Sequence, residues 1–236
     1  LRNTIDEIQK EMVHLSNPDD AAFLRGYFKT GPGQYGEGDL FRGIRVPAVR
    51  KLAGKHRLIS LEDADALLHS PYHEDRLLAL LILMRKYGAA DEAGRAAIYK
   101  LYLGRTNYIN NWDLVDLSAL HIVGAHLEGR SRKPLYILAR SKIIWERRIA
   151  VLATFHFIRN GDFSDSLKIA ALLLSDKEDL IHKAAGWMLR EVGKRDQKTE
   201  ELFLLNHYRQ MPRTMLRYAI ERFPADARRK YLKGEI

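Results

Sequence analysis

Apolar residues recur at three- and four-residue spacings along almost the whole chain, in runs of about ten to twenty residues. This is the period of amphipathic helices. No sustained alternation of apolar and polar residues predicts a sheet. Short breaks separate the runs: SNPDD, RVPAV, HSPYH, KYGAADE, GRTNYINN, LEGRSRKP, RNGDF, LSDKED and RQMPR. Asn17 followed by Pro18 is a helix start, with a side-chain cap and proline at the first helical position. The pattern predicts an all-α protein.

The helical runs also repeat. RLLALLILMRKYG begins at Arg76, RIAVLATFHFIRNG at Arg148, KAAGWMLREVGKR at Lys183 and RYAIERF at Arg217. The first interval is close to twice each of the other two, and half of it, counted from Arg76, lands on Trp112. Five registers of about 35 residues predict stacked helical hairpins, because one hairpin cannot bury its apolar face alone. The expectation is a single domain over 1–236, a curved solenoid whose second helices line a basic concave face.

Segment 110–129, NNWDLVDLSALHIVGAHLEG, reads as one helix that is apolar nearly all round. On a helical wheel Asp116 falls beside Trp112, Leu120 and Val123. A carboxylate in such surroundings costs several kcal/mol unless something compensates it. Asp116 is therefore either a member of an internal ion pair or a group placed for chemistry. Asp113 lies in the first turn after two asparagines, where a carboxylate complements the helix dipole. Trp187 stands among Lys183, Arg190, Glu191 and Lys194, which is unlike a core tryptophan and fits an aromatic on a phosphate-binding wall. Packing between helices is the alternative for Trp187, and it is the reading favoured for Trp145.

Composition narrows the field. The chain has 236 residues, is 46% hydrophobic and carries a net charge of +9. The excess is clustered: 130–148 holds seven basic residues against Glu146, and 209–236 holds eight against three acids. A clustered positive surface points to nucleic acid before other partners. There is no cysteine, so disulfides and thiolate metal sites are excluded, and a cytoplasmic location is expected. The amphipathic start LRNTIDEIQKEM is not a secretion signal, and LLALLILM at 77–84 is too short to span a membrane. His69 and His73 have metal-like spacing, but Pro71 interrupts them. No metal or cofactor is expected. The glycine-rich segment 29–44 lacks a phosphate-loop pattern and reads as a connector or a loop beside the ligand.

At four stretches the sequence resembles the bacterial DNA alkylation repair enzymes of the AlkD type, monofunctional glycosylases built from HEAT-like repeats. They are YFKTGPGQYGEGDLFRGIRVPAVRKLA at 27–53, NNWDLVD at 110–116, IIWERRIAVLATF at 143–155 and DLIHKAAGWMLREVGKRD at 179–196. The resemblance spans about residues 5–220 in order. It implies a catalytic aspartate at Asp116, active-site tryptophans at Trp112 and Trp187, a DNA-contacting arginine at Arg148 and an active-site tyrosine at Tyr27. Lys183 and Arg190 join Arg148 as expected phosphate contacts. The implied activity is excision of cationic N3- and N7-alkylated purines from double-stranded DNA by a monomer, with recognition through sugar and backbone inside the duplex. A helical-repeat protein that binds duplex or branched DNA without cleaving it is the competing expectation, and a protein–protein scaffold a third.

Overall fold

The computed structural model describes residues 2–236, with side chains from Ile5 onward. Among the described residues there are fourteen α-helices and no β-strand, as the apolar period requires. They are α1 (Arg2–His14), α2 (Pro18–Tyr27), α3 (Val46–Lys55), α4 (Leu61–Leu68), α5 (His73–Ala89), α6 (Glu92–Leu103), α7 (Trp112–Ala119), α8 (Lys133–Leu138), α9 (Ile144–Arg159), α10 (Ser164–Leu172), α11 (Asp179–Gly193), α12 (Gln197–His207), α13 (Arg213–Ala219) and α14 (Ala225–Lys233). Helix starts are fixed by side chains. Asn17 accepts from the Asp19 and Asp20 amides, Ser60 from Asp63, Asp91 from Gly94 and Asp196 from Thr199. Each such cap is worth about 1 kcal/mol.

The chain divides into two compact units, 1–118 and 119–236. In the first, α5 is the central element. Leu77 to Leu83 are all at most 6% exposed, because α5 packs against α3 and α4 and meets α6. Its apolar run is continuous rather than striped because no face of it meets water. The helix begins at His73, three residues before the expected Arg76, so its first turn carries four buried charged or titratable residues, His73, Glu74, Asp75 and Arg76.

In the second unit α9, α11 and α13 lie side by side, with α8 and α10 against α9 and α12 against α11. The starts of α9, α11 and α13 follow the expected step of about 35 residues, and α8 with α9 and α10 with α11 are in contact, whereas α12 packs on α11 rather than on α13. Residues Leu120–Gly124 form a π turn, which adds a residue to the turn. The regular wheel applied to 110–129 therefore fails past Ala119. Gly124 and Gly186 let neighbouring helices approach. A Cβ on Gly186 would lie 2.6 Å from the Tyr218 Cβ and overlap the Met215 carbonyl oxygen; one on Gly124 would meet His156 and Ala153 in the same way. Gly186→Ala is expected to force α11 off α13 at a cost of about 1–3 kcal/mol, which thermal unfolding measures directly. An unchanged midpoint would show that the contact yields freely.

Candidate active site

The residues expected to act are carried by α2 and α7 in the first unit and by α9 and α11 in the second. Tyr27 ends α2 and is 53% exposed. Its ring meets the edge of Trp112, 6.0 Å between centroids at 64°, so these two residues are brought together. Trp112 opens α7, half-buried, and stacks on Phe28 at 5.4 Å and 25°. Asp116 follows one turn later and is half-buried. Burial pushes the Tyr102 hydroxyl well above its ordinary range, its bond to Ser118 works against this, and the negative charge of Asp116 adds to the rise.

Beneath Trp112 lies a network that the sequence concealed. His73 is buried between two carboxylates, with Nε2 2.9 Å from Asp113 Oδ2 and Nδ1 3.3 Å from Asp39 Oδ2. Asp39 also accepts from Arg76 at 2.7 Å and from Asn110 at 2.9 Å. Asp113 thus does more than complement the α7 dipole: it shares the histidine proton. Burial alone would lower the His73 pKa. Asp113 and then Asp39 outweigh it and raise it from 6.5 to about 9. The ring is therefore held toward the imidazolium form at neutral pH, with a carboxylate at each nitrogen. Among the described residues no cluster of His, Asp and Glu could hold a metal ion.

This has a pH consequence. Folded His73 keeps its proton to about pH 9, whereas unfolded histidine releases it near 6.5. The stabilisation is complete below about pH 6.5 and lost as pH rises through 9, a few kcal/mol in all. Burial raises the Glu200 carboxyl of the second unit to about 8, which gives a falling slope of its own. The measurement is therefore the difference between wild type and His73→Gln in denaturant unfolding from pH 6 to 10. The gap is expected to narrow over that range; a constant gap would show that His73 is not charged.

The next two residues of α5 fasten the glycine-rich segment. Glu74 accepts from the amides of Arg42 (2.9 Å), Gly43 (2.8 Å) and Ile44 (3.1 Å). Asp75 takes the Arg42 guanidinium in two bonds, 2.7 and 2.9 Å, and also Ser70 and Gln9. Gly43 sits at φ +77°, where a side chain is strained, and its Cα faces the Asn17 carbonyl. The segment is a pinned connector at this end. Acids in a first turn are ordinary on any helix, so the HED triplet gave no sign of its role.

In the second unit, Lys183, Trp187 and Arg190 share α11. The stripe is less open than its sequence implied, since each cation has an acid beside it. Lys183 pairs with Asp179 at 2.7 Å, Arg190 with Glu221, and Lys194 with Glu191 at 2.5 Å. Trp187 is half-buried, its Nε1 donates to Glu191 at 3.2 Å, and its ring lies 6.0 Å from Phe155. Arg148 differs from expectation most. It is 5% exposed, and its guanidinium donates to the Leu180 carbonyl, tying α9 to the start of α11. Trp145, three residues before it on α9, is buried as well, as expected for packing.

Comparison with known proteins adds a family. The sequence profile of the DNA alkylation repair enzyme family matches residues 8–223. A solved structure described as a predicted DNA alkylation repair enzyme from Enterococcus faecalis superposes with a TM-score of 0.68 at 18% identity, covering 89% of this chain and 97% of that one. No curated protein matches the sequence.

Proposed function

Because the chain belongs to the DNA alkylation repair enzyme family, we propose that it is a monofunctional DNA glycosylase of the AlkD type, acting on cationic N3- and N7-alkylated purines in duplex DNA. Such a base already carries a positive charge and leaves as a neutral purine, so no general acid is needed. As the glycosidic bond breaks, positive charge builds on the deoxyribose. Asp116 stabilises that charge and orients the water that attacks C1′; the water oxygen joins C1′ and its proton passes to solvent. Trp112 holds the cationic nucleotide through its π face, and Trp187 acts in the same way on its own helix, each worth about 0.5–2 kcal/mol. Tyr27 supports the Trp112 ring. Lys183 and Arg190 exchange their carboxylate partners for phosphates, and Arg148 acts as a positioning residue beneath them. No lysine is assigned to Schiff-base chemistry, so the product is an intact abasic strand.

The observation that supports this reading is the pairing on α7 of a half-buried carboxylate, Asp116, with Trp112 one turn before it, next to the exposed Tyr27. Incubation with a duplex containing N7-methylguanine, followed by detection of the released base and of alkali-labile abasic sites, tests it. Release of the base without strand cleavage is expected. Tight binding with no release would assign the chain to the non-cleaving DNA binders instead.

A further inference from the structure

The second unit holds a buried carboxylate that the proposed chemistry leaves without a role. Glu191 of α11 is 6% exposed, and three side chains donate to it. Oε1 accepts from the Trp187 indole at 3.2 Å and from the Lys194 ammonium at 2.5 Å, and Oε2 accepts from the Arg195 guanidinium at 3.1 Å. Arg195 also donates to the Glu191 carbonyl at 2.8 Å, and its guanidinium lies 5.8 Å from the centre of the Phe155 ring. Phe155, on α9, is the ring that Trp187 meets. Trp187, Glu191, Arg195 and Phe155 thus form a closed circuit of contacts between α9 and the end of α11.

An acid three or four residues from a base on one helix ordinarily stands in solvent together with its partner, and such a pair contributes little. Here the two ends differ. The Glu191 side chain is 8% exposed, against 37% for Lys194 and 32% for Arg195. The carboxylate is inside, and the cations lie over it. Burial alone would raise the Glu191 pKa; the bonds from Lys194, Arg195 and Trp187 outweigh it and hold the carboxyl below its ordinary range. The indole N–H therefore meets an ionised acceptor, and such a hydrogen bond is stronger than a neutral one. A half-buried ring that meets Phe155 at a tilt of 56° is not held in one plane by packing alone. The bond to Glu191 supplies the second constraint.

We infer that Glu191 is a positioning residue, which fixes the Trp187 indole in the orientation in which that ring meets the alkylated nucleotide. This rests on the glycosylase reading, which gives Trp187 its substrate. Glu191 acts through Trp187 and touches no reacting atom.

A double-mutant cycle on the intact chain tests it. Glu191→Leu removes the acceptor, Glu191→Gln keeps an acceptor without the charge, and Trp187→Phe removes the N–H. Single-turnover excision of N7-methylguanine and anisotropy titration of the same duplex are measured for each, with a thermal melt to check folding. Glu191→Leu is expected to lower excision about three- to thirtyfold in the wild-type background and less than about 1.5-fold in the Trp187→Phe background. Glu191→Gln is expected to recover most of that loss. Equal losses in the two backgrounds, or no recovery in Glu191→Gln, overturn the inference, because the ion pairs with Lys194 and Arg195 would then carry the effect. Indole N–H magnetic resonance spectra keep the test independent of whether Glu191→Leu folds. The Trp187 signal, identified by its absence in Trp187→Phe, is expected to move in Glu191→Gln; an unmoved signal overturns the bond. Excision by the wild-type chain with equal losses sinks the positioning inference only. No excision by the wild-type chain sinks the glycosylase reading, and the same cycle read as DNA affinity then decides whether Glu191 positions Trp187.

Discussion

Asp116→Asn is expected to leave DNA binding intact and to lower the single-turnover excision rate of N7-methylguanine by about 10²–10³-fold. The two side chains have nearly the same shape, so the α7 helix and the Tyr27–Trp112–Phe28 ring cluster need not move. What changes is charge. An amide dipole offers a developing oxocarbenium far less stabilisation than a carboxylate in a half-buried site, where water screens it weakly. Loss of excision with binding preserved separates chemistry from recognition. Equal rates for the two proteins would remove Asp116 from the mechanism. A variant that neither binds nor excises, with a lowered melting point, would show that Asp116 serves the fold through an internal pair, the other meaning a carboxylate on that helix can have.

Asp75→Ala is expected to be the most destabilising single change in the first unit, by about 3–5 kcal/mol. Asp75 is fully buried and receives four hydrogen bonds, two of them from Arg42. Truncation strands the Arg42 guanidinium, which is itself 8% exposed, without its counter-charge. The cost comes less from the lost attraction than from that uncompensated charge. It should appear as a fall of roughly 10 °C or more in the melting transition. The paired change Arg42→Met with Asp75→Leu should recover a large part of it, because two apolar groups leave nothing unsatisfied. If the double variant is no better than Asp75→Ala, packing rather than charge governs the site. Arg42 lies at the carboxyl end of the glycine-rich segment and stacks its guanidinium 3.9 Å over the Tyr72 ring, so the same variant also tests whether that segment must be held for excision.

The contrast between these two aspartates marks the division between sequence and structure. The helices, their 35-residue registers, the caps at Asn17 and the proximity of Trp112 to Asp116 were all written locally, in apolar spacing and turn chemistry that act within a few residues. The four matching stretches likewise pointed to the family that the profile over 8–223 establishes. Asp75, Glu74 and His73 read only as an ordinary acidic first turn, since all the hydrogen-bond partners of their side chains but Ser70 lie 30 to 66 residues away in sequence and carry no shared pattern. The same is true of Arg190 on α11, whose partner Glu221 comes from another helical turn, whereas Asp179 and Glu191, the partners of Lys183 and Lys194, lie within four residues of them. Arg148 faces inward for a reason of the same kind, an acceptor on Leu180 that only packing supplies. Sequence alone determined the elements and the family, because backbone preference and hydrophobic period are local properties. Tertiary structure decided which charges are exposed, which are neutralised and which are buried, because burial and pairing depend on groups that meet only when the chain has folded.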